Sequence, residues 1–402
     1  MYAADQDCPK RLGYVFEKFP RFDQPFCARE VLGLKSLGVD VKVFSIRRPS
    51  RIYQPLSSLL ETTYLPDSFS AILEKDNFFR REARQAQRRL RHLWGDDSEK
   101  HRVYEAIWLK RETQRQNLPH LHAHFAGMAA RAAFWARELG GPTYSLTAHA
   151  NDIFCDDANK RLEMVFNQAE AIVTVSEFSA NYLRQHFPQA AGKIPRVYNG
   201  LPLNAFTRSS FPRESPLVVA IGRLIQKKGL EDLIHACSLL ADRNFTCEII
   251  GEGPLREKLG DLICDLQLGG KVRMLGALDE PKIVAKLAQA WVLALPCVHA
   301  EDGGLDNLPT VIMEAMAAGI PVVSTKLAGI PELVLDGVTG WLVEEHNIPS
   351  LAQKISALLD NREVAQKMGE AGWRHCQQHF DIQKTSARLL DVIFKNIRTV
   401  DG

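Results

Sequence analysis

Two cations, two carboxylates and a group of histidines are the residues of this chain whose types and spacing suit chemistry. In Val218-Val-Ala-Ile-Gly222-Arg223-Leu-Ile-Gln-Lys-Lys228-Gly229, an apolar strand ends on Gly-Arg and a helix begins after Lys-Lys-Gly. Arginine offers forked donors, lysine a point charge, and a helix start free backbone N–H groups, which together suit a diphosphate. A solvated basic turn uses the same residue types. Asp306-Asn307-Leu308-Pro309-Thr-Val-Ile-Met-Glu314 sets two carboxylates eight residues apart, the second between Ile312, Met313, Ala315 and Met316. A carboxylate in such an apolar helix needs a partner, which ribose hydroxyls or a salt bridge would supply. His120, His122 and His124 alternate along a predicted strand and so share one face, a spacing open to a metal. No nearby Cys, Asp or Glu completes such a site, and no metal site is expected there.

Holding these residues in place requires the elements between them. Short β-branched runs alternate with segments of helical period throughout, the pattern of parallel sheets covered by helices. Predicted strands are 12–16, 41–46, 121–125, 144–149 and 171–175 in the first half, and 217–222, 246–251, 272–275, 291–296 and 321–324 in the second. The polar, proline-bearing stretch 207–216 has neither period and is read as a domain boundary. The fold class is therefore α/β, with two doubly wound domains, 1–206 and 207–378, facing an interdomain cleft. Such sheets bind ligands beyond the carboxyl ends of their strands.

A chain of 402 residues exceeds one ordinary core. With 50 Lys and Arg against 48 Asp and Glu, no chain-wide charge favours a nucleic-acid partner. The excess is local: residues 80–115 hold 11 basic against 6 acidic side chains. Within them Phe79, Ala83, Ala86, Leu90 and Leu93 recur at helical spacing among six arginines, a basic amphipathic helix. The Arg-rich segment 80–91 reads either as a solvated face or as contact with an anionic membrane or a lipid-diphosphate acceptor. The N-terminal residues lack a secretory pattern, and no apolar run reaches the ~18 residues of a spanning helix. The eight cysteines form no C-x-x-C pair and read as free, mostly core thiols. A cytoplasmic protein is the resulting expectation, with a peripheral place on the inner face of a membrane as the alternative that the arginine face leaves open.

Taken together, the Gly-Arg…Lys-Gly and Asp…Glu segments resemble the retaining glycosyltransferases of family 4, which have the two-domain GT-B fold. Arg223 and Lys228 match that family's diphosphate-binding cations and Glu314 its ribose-binding glutamate. Asp306 stands where the family has a glutamate facing the donor sugar, a shorter side chain. Gly251-Glu-Gly253-Pro is similar to the family's glycine turn, and Val272-Arg273-Met-Leu-Gly276 to the strand end whose backbone contacts the base. Thr147-Ala-His149-Ala-Asn-Asp152 resembles a T-x-H-x-x-D motif whose histidine lies near the reacting centre, and Asn199-Gly200 the turn that closes the first domain. Phe19-Pro20-Arg-Phe22-Asp-Gln-Pro-Phe26 is closer to the F-P-x-x-S-E-T-F form of polysaccharide-assembly members than to a glycine-rich loop.

The resemblance implies a hexosyltransferase-type enzyme that moves a sugar from a UDP- or GDP-sugar to a glycan or lipid-linked acceptor, with no tightly bound cofactor and no metal. It implies catalytic roles for His149, Arg223, Lys228 and Asp306. Donor contacts would come from Gly222, Arg223, Lys228, Gly251, Gly253, Arg273, Asp306, Asn307, Leu308, Pro309 and Glu314, and acceptor-side contacts from Phe22, His122 and His124. A C-terminal helix within 379–402 would cross back to the first domain. The alternatives are a sugar-nucleotide epimerase of the same architecture and a non-catalytic donor-binding regulator. A dinucleotide-binding dehydrogenase is disfavoured: Gly251-Glu-Gly-Pro-Leu-Arg256 lacks the third glycine, and Lys271 stands where an acid is wanted.

Overall fold

Runs of β-branched and aromatic residues bounded by glycine and proline become twelve strands in the computed structural model, which describes residues 10–53, 60–94, 99–149, 151–154, 159–211 and 216–397. The chain forms two compact units. The first comprises the described residues of Met1–Val175, Ala180–Val197 and Ser386–Gly402, and the second those of Ser176–Ser179 and Tyr198–Thr385.

In the first unit the strands are β1 (Arg11–Lys18), β2 (Asp40–Arg47), β3 (Thr62–Tyr64), β4 (His120–His124), β5 (Thr143–Ala148) and β6 (Ile172–Thr174). They pair in parallel in the order β3-β2-β1-β4-β5-β6. In the second unit β7 (Leu217–Ile221), β8 (Thr246–Ile250), β9 (Val272–Gly276), β10 (Val292–Leu295), β11 (Val322–Thr325) and β12 (Gly340–Val343) repeat that winding, as β9-β8-β7-β10-β11-β12. Both sheets reverse direction beside their first strand, between β1 and β4 and between β7 and β10. Loops leaving the carboxyl ends of those pairs diverge, and the crevice between them is where such sheets take ligands.

All ten predicted strands are present, with ends displaced by at most two residues. The two that sequence pattern missed, β3 and β12, are the outermost strands on one edge of each sheet. An edge strand has one neighbour and needs less apolar sequence: Thr62-Thr-Tyr64 is half-exposed, and Gly340–Val343 follows directly on a turn in which Gly337 has φ +75°.

Two apolar clusters occupy the first unit. One gathers Phe44, Phe79, Ile107, Phe134 and Trp135 with the helix Met128–Glu138, and the other gathers Leu12, Tyr14, Phe16 and Val31. Leu389, Leu390, Val392 and Ile393 of the C-terminal helix Ile382–Ile397 belong to the second cluster. The stretch read from sequence as a boundary is stitched into the second unit where it is described. Ser209 N donates to Ala318 O at 2.7 Å, Ser210 N to Ala288 O at 3.1 Å, and Arg362 to the carbonyls of Ser210 and Phe211. Its remaining residues, 212–215, lie outside the described ones.

Glycine is required where the loops after β7 and β8 meet. Gly251 has φ +151°, and a Cβ there would stand 1.8 Å from the carbonyl oxygen of Gly222; one on Gly253 would stand 2.4 Å from that of Leu224. Gly251→Ala should cost about 3 kcal/mol in denaturant unfolding, from positive-φ strain added to a backbone clash. Gly269→Ala, with nothing within 4 Å of its Cβ, should stay within about 0.5 kcal/mol of wild type. Equal costs for the two would refute the close approach.

Candidate functional site

At the winding reversal of the second sheet, β7 runs out through Gly222. A Cβ on Gly222 would lie 3.0 to 3.4 Å from Cε, Cδ and Nζ of Lys228, so the bare backbone gives the lysine stem room across the strand end. Lys228 Nζ is ion-paired with Asp306 Oδ2, and Lys227 Nζ lies 3.6 Å from Oδ1 and donates to Leu305 O at 3.3 Å. The Lys228 and Asp306 side chains are only 13% and 16% exposed. Burial by itself would raise the Asp306 pKa, but Lys228 and Lys227 outweigh it and hold the carboxylate below its ordinary value. Burial opposes the charge on Lys228, and Asp306 reverses that and raises it. Both groups are therefore ionised in a poorly solvated place. Cys297 Sγ lies 3.8 Å from Asp306 Oδ2, and burial followed by the Asp306 charge pushes its thiol pKa upward, so it stays protonated.

Arg223 is exposed beside this pair in sequence, and Glu314 is buried in the helix Thr310–Ala317, whose residues 311–317 are all buried. That helix starts after Pro309 with no side-chain cap, leaving its first N–H groups to other partners. Leu308 is buried against the fold. The Asn307 amide is also taken up there: Nδ2 donates to Ser179 Oγ at 2.5 Å and Oδ1 accepts from Ser176 Oγ at 2.7 Å. Asn307 and Leu308 can therefore offer a ligand their backbone but not their side chains. Arg273 is exposed on the edge strand β9, opposite Glu248 in register.

In the first unit, the same reversal gathers the histidines. His120 lies between Thr143 Oγ1 (2.7 Å) and Ser145 Oγ (2.8 Å), and His122 between Ser145 Oγ (2.8 Å) and Thr147 Oγ1 (2.9 Å). This ladder follows from the parallel register of β4 on β5, which sets 120, 122 and 124 opposite 143, 145 and 147. Burial, with the neighbouring His122 adding to it, pushes His120 down to about 3, and His122 is likewise pushed to about 3, so both are neutral. His124 Nε2 is 2.8 Å from His149 Nε2. Burial acts against a proton on His124, but Cys27 and Glu30 overcome it and raise its pKa to about 10. Burial and then the His124 charge drive His149 well below its ordinary value. Asp152 accepts from the backbone N–H of Ala126 (2.6 Å) and of His149 (3.0 Å), tying the ends of β4 and β5 together. That is what the acid three residues past His149 does here.

The expectation that no acid or thiol lies near the three histidines is corrected. Glu30 Oε1 is 3.3 Å from His124 Nδ1 and accepts from Tyr14 Oη at 2.6 Å. Helix Pro25–Ser36 follows β1, and β1 lies beside β4, so residues far apart in the chain meet. Glu30, His122 and His124 bring ligand-type atoms within 4.8 Å of one another. Both His122 nitrogens are nevertheless occupied by hydroxyls, and His124 carries the proton that a metal would have to displace. Phe22 is placed under the Arg51 guanidinium, 3.5 Å from the ring centroid, whereas Phe26 and Phe125 flank the His149 ring at 5.3 and 4.6 Å. Sequence reading gave Phe22 a site role and gave none to Phe26, Glu30 or Phe125. Pro25 at a helix start, with Phe26 and Glu30 four apart on one face, was the available signal.

Two parallel sheets wound in this way, each with a polar cluster at its reversal, match known families. The model described as Glycosyltransferase Family 4 covers residues 26–205, and that described as Glycosyl transferases group 1 covers 204–375. The chain belongs to the family 4 glycosyltransferases and has the GT-B fold. It is 34% identical over 256 residues to the putative colanic acid biosynthesis glycosyltransferase WcaL of Escherichia coli strain K12, covering 60% of this chain and 62% of that protein. It is 39% identical over 244 residues to the amylovoran biosynthesis glycosyltransferase AmsK of Erwinia amylovora, covering 58% of each. The match thus spans about three fifths of the length of these relatives. Among solved structures, Anabaena Alr3699/HepE, in complex with UDP and glucose, superimposes with a TM-score of 0.70 at 18% identity over 96% of this chain and 99% of that one.

Removing one member of a desolvated ion pair leaves a buried charge. Asp306→Ala should therefore lose about 3 kcal/mol, and adding Lys228→Met should recover most of it, both read by urea unfolding. A single variant as stable as wild type would mean the pair is solvated.

Proposed function

We propose that this chain transfers a sugar from a UDP- or GDP-sugar to a glycan or lipid-linked acceptor, with retention of anomeric configuration, in the assembly of a polysaccharide. The observation that carries this reading is the part-buried Lys228–Asp306 ion pair at the winding reversal of the second sheet. A preformed, poorly solvated cation is what a departing nucleoside diphosphate requires, because charge accumulates on it in the transition state. Arg223 adds forked donors and the uncapped helix at Thr310 adds backbone N–H groups. Family membership supports the reaction class, and the UDP and glucose in the HepE structure support the donor class. The names of WcaL and AmsK support polysaccharide assembly.

In this mechanism Glu314 receives the ribose hydroxyls, and the backbone at Gly222 and the turn held by Gly251 and Gly253 keep the phosphate end close to the strand. The backbone around Arg273 meets the base. Asp306 keeps both lysines in place rather than reaching for the sugar, a role its shorter side chain and its ion pairs favour. His149 orients the transferring sugar, with His124 behind it, and His122 serves the acceptor side by fixing the histidine face. Exclusion of water during transfer limits hydrolysis of the donor.

The exposed arginine face is proposed to contact an anionic membrane surface. In helix Asn77–Trp94, Phe79, Ala83, Ala86 and Leu90 are buried while Arg81, Arg84 and Arg88 are exposed, and Phe78 just before them is 71% exposed. Leu93, expected on the buried face, is exposed, and Trp94, four residues past the buried Leu90, packs against the core instead. Arg80 and Arg89 are engaged with the protein, on the Leu73 and Glu74 carbonyls and on Glu138. Among the described residues no helix is long and apolar enough to cross a membrane. Reversing Arg81, Arg84 and Arg88 to Glu should lower binding to phosphatidylglycerol vesicles by at least about tenfold in a sedimentation assay. Unchanged binding would reject the contact.

A panel of UDP-, GDP- and ADP-sugars, scored for thermal stabilisation, slow hydrolysis and transfer, tests the central reading. Arg223→Ala and Glu314→Ala should weaken the stabilising donor by roughly ten- to a hundredfold while the far-ultraviolet spectrum is unchanged. Variants that bind donor as wild type does would place the site elsewhere. Isomerisation of the donor without acceptor would instead favour an epimerase.

A further inference from the structure

We infer that Glu30 is a positioning residue for His149: it keeps His124 as the donor in the His124–His149 contact, which leaves His149 with its proton on Nδ1, as a hydrogen-bond donor toward an oxygen of the transferring sugar. This rests on the sugar-orienting role proposed for His149.

Two imidazole nitrogens 2.8 Å apart, His124 Nε2 and His149 Nε2, cannot both carry a proton and cannot both lack one. One ring donates and the other accepts. Which one donates is decided at the far side of His124, where Glu30 Oε1 stands 3.3 Å from Nδ1. The alignment there is too poor for a hydrogen bond, so the contact acts as an ion pair. Tyr14 Oη donates to the same carboxylate oxygen at 2.6 Å, which fixes Glu30 in its charged form and in its orientation. A carboxylate at Nδ1 favours a proton there, and His124 then carries protons on both nitrogens and donates through Nε2. His149 accepts at Nε2, and a neutral imidazole must hold its remaining proton on Nδ1. Phe26 and Phe125 pack beside the His149 ring, which is buried.

Of the other groups facing this pair, Cys27 on the same helix favours the His124 proton alongside Glu30, while burial raises its own thiol pKa. His122 on β4 is neutral between its two hydroxyls. Asp152 spends its oxygens on the backbone of Ala126 and His149. Tyr14 on β1 is raised by burial and then by Glu30 and remains protonated. Glu30 itself is lowered, since His124 and Tyr14 outweigh its burial.

With His124 raised to about 10, its proton persists through neutral pH and is lost as pH rises through that value. In Glu30→Gln the counter-charge is gone and the same proton is lost earlier. Two measurements on the full chain test the assignment. In 15N-histidine NMR of ligand-free wild type, His149 should show a protonated Nδ1 and an unprotonated Nε2, and Glu30→Gln should convert this to exchange between tautomers. The high-pH limb of kcat should move down by about two pH units or more in Glu30→Gln and return toward wild type in Glu30→Asp. Donor-induced thermal stabilisation should be retained in both variants. The opposite tautomer in wild type, or a Glu30→Gln protein that loses activity with its pH limb and ring signals unmoved, would overturn the proposal. Failure of every nucleoside-diphosphate sugar to bind or react would instead defeat the sugar-transfer reading, and the ring-nitrogen signals would still decide the tautomer.

Discussion

Where a doubly wound sheet reverses its direction, two neighbouring strands send their chains to opposite sides and the backbone at their carboxyl ends has no helix packed over it. That constraint acts in both units, between β1 and β4 and between β7 and β10. The groups of chemical interest sit at these two places: Gly222, Lys228, Cys297 and Asp306 after β7 and β10, and Phe26, Glu30 and Phe125 after β1 and β4 with His124 at the end of β4. Glycine adjacent to a strand end is part of the same constraint. At Gly222 it leaves room for the lysine stem, and at Gly251 it lets two loops touch through their backbones.

The second unit meets the need for a fixed cation by holding it, part-buried, against its counter-ion. A lysine in that position without Asp306 would shed its proton or swing to water. With Asp306 it stays charged and immobile, so little reorganisation is needed when a diphosphate arrives. The protonated Cys297 thiol beside the pair adds no charge to this balance. The helix that contains Glu314 is buried from residue 311 to residue 317, which holds the carboxylate and the helix start in one place.

The first unit solves a different problem. Three histidines on one face of a central strand would be costly if left unpaired. Hydroxyls on β5, in register with them, satisfy two, and Cys27 and Glu30 on the helix after β1 favour a proton on the third. The result is a polar seam inside an apolar sheet, with its last ring, His149, anchored through its backbone by Asp152.

Much of this was legible in the sequence, for a physical reason. Strand and helix periods are local, so the α/β class and ten of the twelve strands could be read directly, while the edge strands Thr62–Tyr64 and Gly340–Val343 carried too little apolar pattern. Motifs at which a strand gives way to a helix are also local, and Arg223, Lys228, Asp306, Glu314 and His149 were visible there as residue types at suggestive spacings. What the sequence did not determine is which charges meet. The pairing of Lys228 with Asp306, the capture of the Asn307 amide by Ser176 and Ser179, and the approach of Glu30 to His124 each join residues that lie far apart along the chain. Only the order of strands in the sheet brings them together, because ionisation and hydrogen bonding depend on distance in space, and parallel winding makes neighbours of elements the chain itself separates.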